Sequence, residues 1–68
     1  MPQEENRWNS ETIKELRGNL GLTQKDFGEI LNVHVVTVIR WEGGSSQPSP
    51  MACKMLDVIA EQRRRDAR

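Results

Sequence analysis

The chain has 68 residues, and its ten Lys and Arg balance ten Asp and Glu to a formal net charge of zero. That length holds one domain at most, with room for one small core, since a chain of this size buries only roughly 60% of its unfolded surface. The single cysteine, Cys53, rules out an internal disulfide, and one His with one Cys falls short of the four ligands of a structural zinc site.

Catalysis is poorly supplied as well, because His34 has no Ser or Cys partner at a nucleophile–base spacing. No apolar run approaches the ~20 residues that span a bilayer, and the opening MPQEENRWNS is acidic and polar, with no leader visible. The expectation is a non-enzymatic binding module in the cytoplasm, associated with the nucleoid if its partner is DNA, and without metal, cofactor or membrane. Zero net charge argues mildly against nucleic acid. The charges are segregated, however, with Lys54, Arg63, Arg64, Arg65 and Arg68 outnumbering Asp57, Glu61 and Asp66 at the C-terminal end.

Apolar spacing is helical throughout, with punctuation at Pro2, Gly18–Gly21 and Gly43–Pro50 and no alternating strand pattern. A first helix starts at Asn9 or Ser10, either of which can cap it. With Asn9 as cap, Trp8 and Ile13 stand at the positions of a hydrophobic staple. Ile13, Leu16 and Leu20 form its inner stripe, and Gly21 stops it. A second helix starts at Thr23, with Asp26 three residues on at the reciprocal position of a capping box. Its inner stripe is Phe27, Ile30 and Leu31, and Asn32 ends it in a sharp turn. A third helix runs from about His34 to Trp41 with Val38 and Trp41 inward, and Gly43-Gly44 terminates it. After an exposed polar loop, Ser49 caps and Pro50 begins the last helix. That helix places Ala52, Met55, Leu56 and Ile59 on one face and frays into QRRRDAR. The fold class is all-α, a compact bundle of four to five short helices. Residues 1–8 read as a flexible N-terminal segment, 9–62 as the domain and 63–68 as a basic C-terminal tail.

The second and third helices, joined by a short turn, have the helix-turn-helix arrangement. Gly28 supplies a small residue where the two cross, Asn32 a residue comfortable at positive φ, and Val33, Val38 and Trp41 the inward side chains. The stretch Leu20-Gly21-Leu22-Thr23-Gln24, then Phe27-Gly28, Leu31-Asn32-Val33, Thr37-Val38 and Trp41-Glu42-Gly43-Gly44 through Pro48, resembles the Cro/lambda-repressor-like helix-turn-helix domain of the XRE family over residues 11–60. The Trp-Glu-x-Gly-x-x-x-Pro ending is most similar to antitoxins of the HigA class and related small regulators.

The resemblance implies roles for particular residues. Val35, Val36, Ile39 and Arg40 fall where the family points side chains at bases in the major groove. Gln24 falls where the family contacts a backbone phosphate or an outer base, and Ser45, Ser46 and Gln47 fall in the loop that touches phosphate. His34 reads as a cap or a phosphate neighbour, and Thr37 stands near enough to contact the DNA backbone. Arg17 and Glu42 match positions that pair as an internal salt bridge. The chain departs from the pattern at Asn32, where the family usually has Gly, at His34, where it has Ser or Thr, and at Val35 and Val36, where it often has Gln, Arg or Ser. Two valines cannot hydrogen-bond a base edge, but they can pack on thymine methyl groups, so thymine-rich half-sites are expected. The implied function is a double-stranded-DNA-binding transcriptional regulator, acting as a repressor and as a dimer on a pseudo-palindrome. Met51, Met55 and Val58 exceed what one small core covers and mark the last helix as the dimer surface. A more specific version is the antitoxin of a toxin–antitoxin pair, with a small toxin protein as partner. The alternative is a protein-interaction module that keeps the fold without binding DNA.

Overall fold

The computed structural model describes residues 7–66. The expected N-terminal segment before residue 7, with Pro2, and the last two residues of the expected tail lie outside them. Four helices follow in order: α1 (Ser10–Leu20), α2 (Gln24–Leu31), α3 (Val35–Gly43) and α4 (Pro50–Asp66). The fold class is therefore all-α, with a helix-turn-helix at its centre.

Local chemistry explains each boundary. The Asn9 side chain accepts from the N–H groups of Glu11 and Thr12, and the Thr12 hydroxyl accepts from the Asn9 N–H, closing a capping box. Gly21 ends α1 in the left-handed region, at φ 70°. At α2 the Thr23 hydroxyl accepts from the Asp26 N–H at 3.1 Å, while the Thr23 N–H makes no return bond to the Asp26 carboxylate. Asn32 ends α2 at φ 61°, a conformation that costs Asn less than other residues with a Cβ. His34 caps α3 through its ring, whose Nδ1 accepts from the Val36 N–H at 3.1 Å. This explains how the chain manages without a hydroxyl there. The Ser49 hydroxyl accepts from the Ala52 N–H, leaving Pro50 at a position that needs no donor.

The core consists of Ile13, Leu16, Phe27, Leu31, Val38, Trp41 and Leu56, with Trp8, Leu20, Leu22, Val33, Ala52, Ile59 and Ala60 packed around it. Two expected core positions are corrected. Ile30 is exposed, because α2 turns Phe27, Gly28 and Leu31 inward and Ile30 falls outside that arc. Met55 is exposed because α4 centres its inner face on Leu56, with Ala60 rather than Met55 completing it. Trp8 is also held differently from a simple staple. Its indole N–H donates to Asp57 Oδ1 at 2.8 Å, tying the start of α1 to α4. Finally, α4 does not fray at Gln62 but continues through Asp66, so Arg63, Arg64 and Arg65 are helical.

Of the five glycines, Gly28 alone is closely approached, where α3 enters against α2. A Cβ built there would lie 2.9 Å from the Val33 carbonyl oxygen and 3.4 Å from Val38 Cγ2, whereas one on Gly18 would meet nothing within 4 Å. The same substitution should therefore have opposite signs at the two sites. Gly18→Ala is expected to stabilise by about 0.5–1 kcal/mol. Gly28→Ala is expected to destabilise by about 1–3 kcal/mol as α3 is pushed off its seat. Urea unfolding of the two variants checks this, and a stabilised Gly28→Ala would contradict the packing described.

Candidate nucleic-acid interface

The faces of α3 have sharply different surroundings. Val38, Trp41 and Glu42 are buried, and Val38 has no exposed surface at all. On the other side Val36 is 41% and Ile39 47% exposed, with Arg40 and Gly43 also open to solvent. Val35 and Thr37 lie half-buried on the flanks between these faces. The exposed ridge is thus Val36, Ile39 and Arg40, and Gly43 continues it without a side chain. This is an unusual surface for a helix. β-branched residues cost it a few tenths of a kcal/mol each relative to Ala, roughly the spread of ordinary helix propensities. At 41% and 47% exposure they recover only part of what full burial would return.

Around the ridge stand the backbone-contact candidates. His34 is exposed at the N-terminus of α3, and its Nδ1 is occupied by the cap. Ser45, Ser46 and Gln47 are exposed in the loop after α3, and the Ser45 N–H is fixed to the Arg40 carbonyl at 2.9 Å. The Ser46 and Gln47 end of this loop shares a shallow cleft with Trp41, Asn9 and Ser10, so it lies over the start of α1.

Gln24, the first residue of α2, is half-buried and engaged. Its Nε2 donates to Glu42 Oε1 at 3.1 Å. Glu42 in turn receives Arg17 through two bonds, Nε to Oε2 at 2.7 Å and Nη2 to Oε1 at 3.0 Å, and Arg17 Nη1 donates to the Leu22 carbonyl. One carboxylate therefore joins α1, the entry of α2 and the last turn of α3. The link from Gln24 escapes sequence reasoning, since nothing in the spacing of two residues 18 positions apart signals it.

Burial pushes the Glu42 carboxyl up, but hydrogen bonds from Arg17 and Gln24, with the charges of Arg17 and Lys14, outweigh it and leave the pKa below the ordinary value. The hydrogen bond to Glu42 holds the Arg17 pKa up against its own partial burial. A carboxyl with a lowered folded-state pKa contributes stability that is complete above its unfolded pKa and is lost as pH falls through the folded one. Glu42→Ala, which leaves Arg17 without its partner, should cost about 3 kcal/mol at neutral pH. The stability gap between wild type and Glu42→Gln should be widest near neutrality and narrow below about pH 4, the ordinary carboxylate range. Chemical denaturation across that span reads the gap, and a pH-independent difference would remove Glu42 ionisation from the account.

Among the described residues no cluster of His, Cys, Asp and Glu could hold a metal ion, and no helix is long and apolar enough to cross a membrane. No curated protein and no solved structure matches the chain. The sequence model of the helix-turn-helix family matches residues 13–57, a span that runs from the first core residue of α1 across α2, the turn and α3 into α4. With an exposed ridge on the second helix of the pair, a three-residue turn at Asn32–His34 and a family match over most of its length, the chain belongs to the XRE-type helix-turn-helix family of DNA-binding regulators.

Proposed function

We propose that this protein is a sequence-specific repressor that lays α3 in the major groove and reads bases with Val36, Ile39 and Arg40, with Val35 at the edge of the contact. The observation that carries the reading is the ridge itself, an apolar, β-branched surface next to an arginine on a helix whose opposite face is committed to the core. Val36 and Ile39 pack on thymine methyl groups, and Arg40 bonds a guanine bidentately at the end of that patch. The backbone contacts are made by Gln24, His34, Thr37, Ser45, Ser46 and Gln47. Gln24 has one amide N–H on Glu42 and a second left to donate to a phosphate. The N-termini of α2 and α3 add backbone N–H groups, which suit phosphate oxygens. Two copies read half-sites about one helical turn, roughly 34 Å, apart, and cover promoter DNA so that polymerase is excluded.

The resemblance of the Trp41–Pro48 segment to HigA-class proteins supports a narrower version, in which the protein is an antitoxin that also binds a small toxin; co-purification of such a partner from the native host tests it. Zero net charge favours one rival, a protein-interaction module using the same ridge. Salt separates the two readings, because DNA affinity falls with a log–log slope of about −0.9 per neutralised phosphate and an apolar protein contact barely responds.

Selection of bound sequences from a random double-stranded pool at physiological salt is the decisive experiment. An inverted repeat with thymine-rich half-sites is expected, and no enrichment by folded protein would overturn the reading. On the selected site, Arg40→Ala is expected to cost about 1–3 kcal/mol and to relax preference at one base pair. A uniform loss across sequences would instead assign Arg40 to a phosphate.

A further inference from the structure

The side of α4 turned away from the core carries Met51, Met55 and Val58, followed by Gln62, at alternating spacings of four and three residues. Met51 is 74% and Val58 59% exposed, and Met55 is exposed as well. That spacing is the 3.5-residue repeat of a coiled-coil seam, with Met51 and Val58 in one row and Met55 and Gln62 in the other. The edges of the seam differ. One holds Lys54 and Glu61, both exposed and one heptad apart, and the other holds Ala52 and Ile59, both half-buried.

These edges decide what fits against the seam and in which direction. If a second α4 lay parallel, each edge would face the opposite kind of edge, and Lys54 and Glu61 would lie against the partner's Ala52 and Ile59 with no countercharge. If it lies antiparallel, each edge faces its own kind. Lys54 then stands opposite Glu61 of the second copy and Glu61 opposite its Lys54, while Ile59 meets Ala52 of the second copy on the far side. The same register sets Met55 against Val58 of the second copy at the centre and Met51 against its Gln62 at the ends. Among the described residues Lys54 makes no ion pair of its own. Glu61 accepts from Arg64 through Oε1 at 2.9 Å, and among the described residues its other oxygen makes no ion pair.

We infer that α4 is a docking surface for a second copy of this chain, paired antiparallel in the one register that joins Lys54 to Glu61 twice across the two-fold axis. The inference rests on the dimeric reading above and adds to it the interface, the direction and the register. It leaves the ridge on α3 free, since α3 packs on α2 and α1 and α4 packs on α2. The seam is short, so self-association is weak in free solution and is strengthened when two half-sites bring the copies together.

Charge exchange tests the register. Lys54→Glu sets Glu against Glu in both cross pairs, and Glu61→Lys sets Lys against Lys. Each alone should weaken dimerisation about tenfold or more by sedimentation equilibrium. An equimolar mixture of the two should form heterodimers at least as readily as wild type dimerises, and the Lys54→Glu/Glu61→Lys double variant should recover the wild-type constant. Both positions are exposed on a helix, and circular dichroism confirms that each variant is folded. Val58→Glu, in the seam itself, should leave a monomer. A mixture that stays monomeric, single variants that dimerise as wild type does, or a wild type that is monomeric up to about 1 mM would overturn the proposal. The same proteins titrated with a duplex carrying one half-site from the selection keep the two readings apart. Half-site binding that persists while the charge exchange fails overturns the dimer register alone, and wild type that binds no half-site overturns the DNA reading.

Discussion

The close seat of α3 on α2 at Gly28 is the constraint from which the rest of the structure follows. With no Cβ at that point, the turn Asn32–His34 can lie against α2, and α3 enters at an angle that drives Val38 and Trp41 into the space between α1 and α2. Once those two side chains are committed, the helical repeat leaves no freedom for the others. Val36, Ile39 and Arg40 must face outward, and Glu42 must turn inward toward α1. The ridge on α3 is in this sense the complement of the core. Moving one moves the other, because interiors are packed too tightly to deform continuously.

Glu42 shows what that geometry requires. A carboxylate turned into a small core is costly to desolvate, and a hydrocarbon of similar volume often serves stability equally well. Its value lies in geometry. The guanidinium of Arg17 holds both carboxylate oxygens in fixed directions and also holds the Leu22 carbonyl just ahead of α2, so the last turn of α3 is locked to α1 and to the entry of α2 at once. Gln24 is then oriented by the same carboxylate that anchors the helix carrying the ridge. The relative placement of the α2 entry and α3, which any contact using both elements needs, is thereby set within the monomer and before a partner arrives.

The elements that could be read from the sequence are those governed by a few neighbouring residues. Caps at Asn9, Thr23 and Ser49, the Asn32 turn, the Gly21 and Gly44 stops and the inward Val38 and Trp41 all follow from local rules of hydrogen bonding and helical spacing. What could not be read depends on how helices lie on each other. Ile30 and Met55 satisfy a helical stripe as well as their buried neighbours do, and only the crossing of α2 and α4 over the core shows that the inward arc stops short of them. The bond from Trp8 to Asp57 joins residues 49 positions apart, beyond any local rule. The Arg17–Glu42 pairing was implied by family resemblance alone, and the distances supply its physical content.

On the proposed reading, zero net charge and an apolar ridge belong together. A basic protein binds all DNA appreciably through phosphate neutralisation, and its specificity must come from the increment that base contacts add. A neutral protein gives up much of that sequence-independent affinity, so its occupancy of random sites is low from the outset. What remains must then be supplied by contacts that exist only on the right sequence. Methyl–methyl packing meets this requirement, because Val36 and Ile39 gain burial against thymine but leave the polar edge of a guanine or cytosine without a partner in the same place. Arg40 beside them contributes the one directional, charged contact of the ridge. The two further effects point the same way. Weak affinity for a single half-site makes a second copy necessary, and a short, modest seam on α4 keeps that second copy from assembling until DNA has already selected the first.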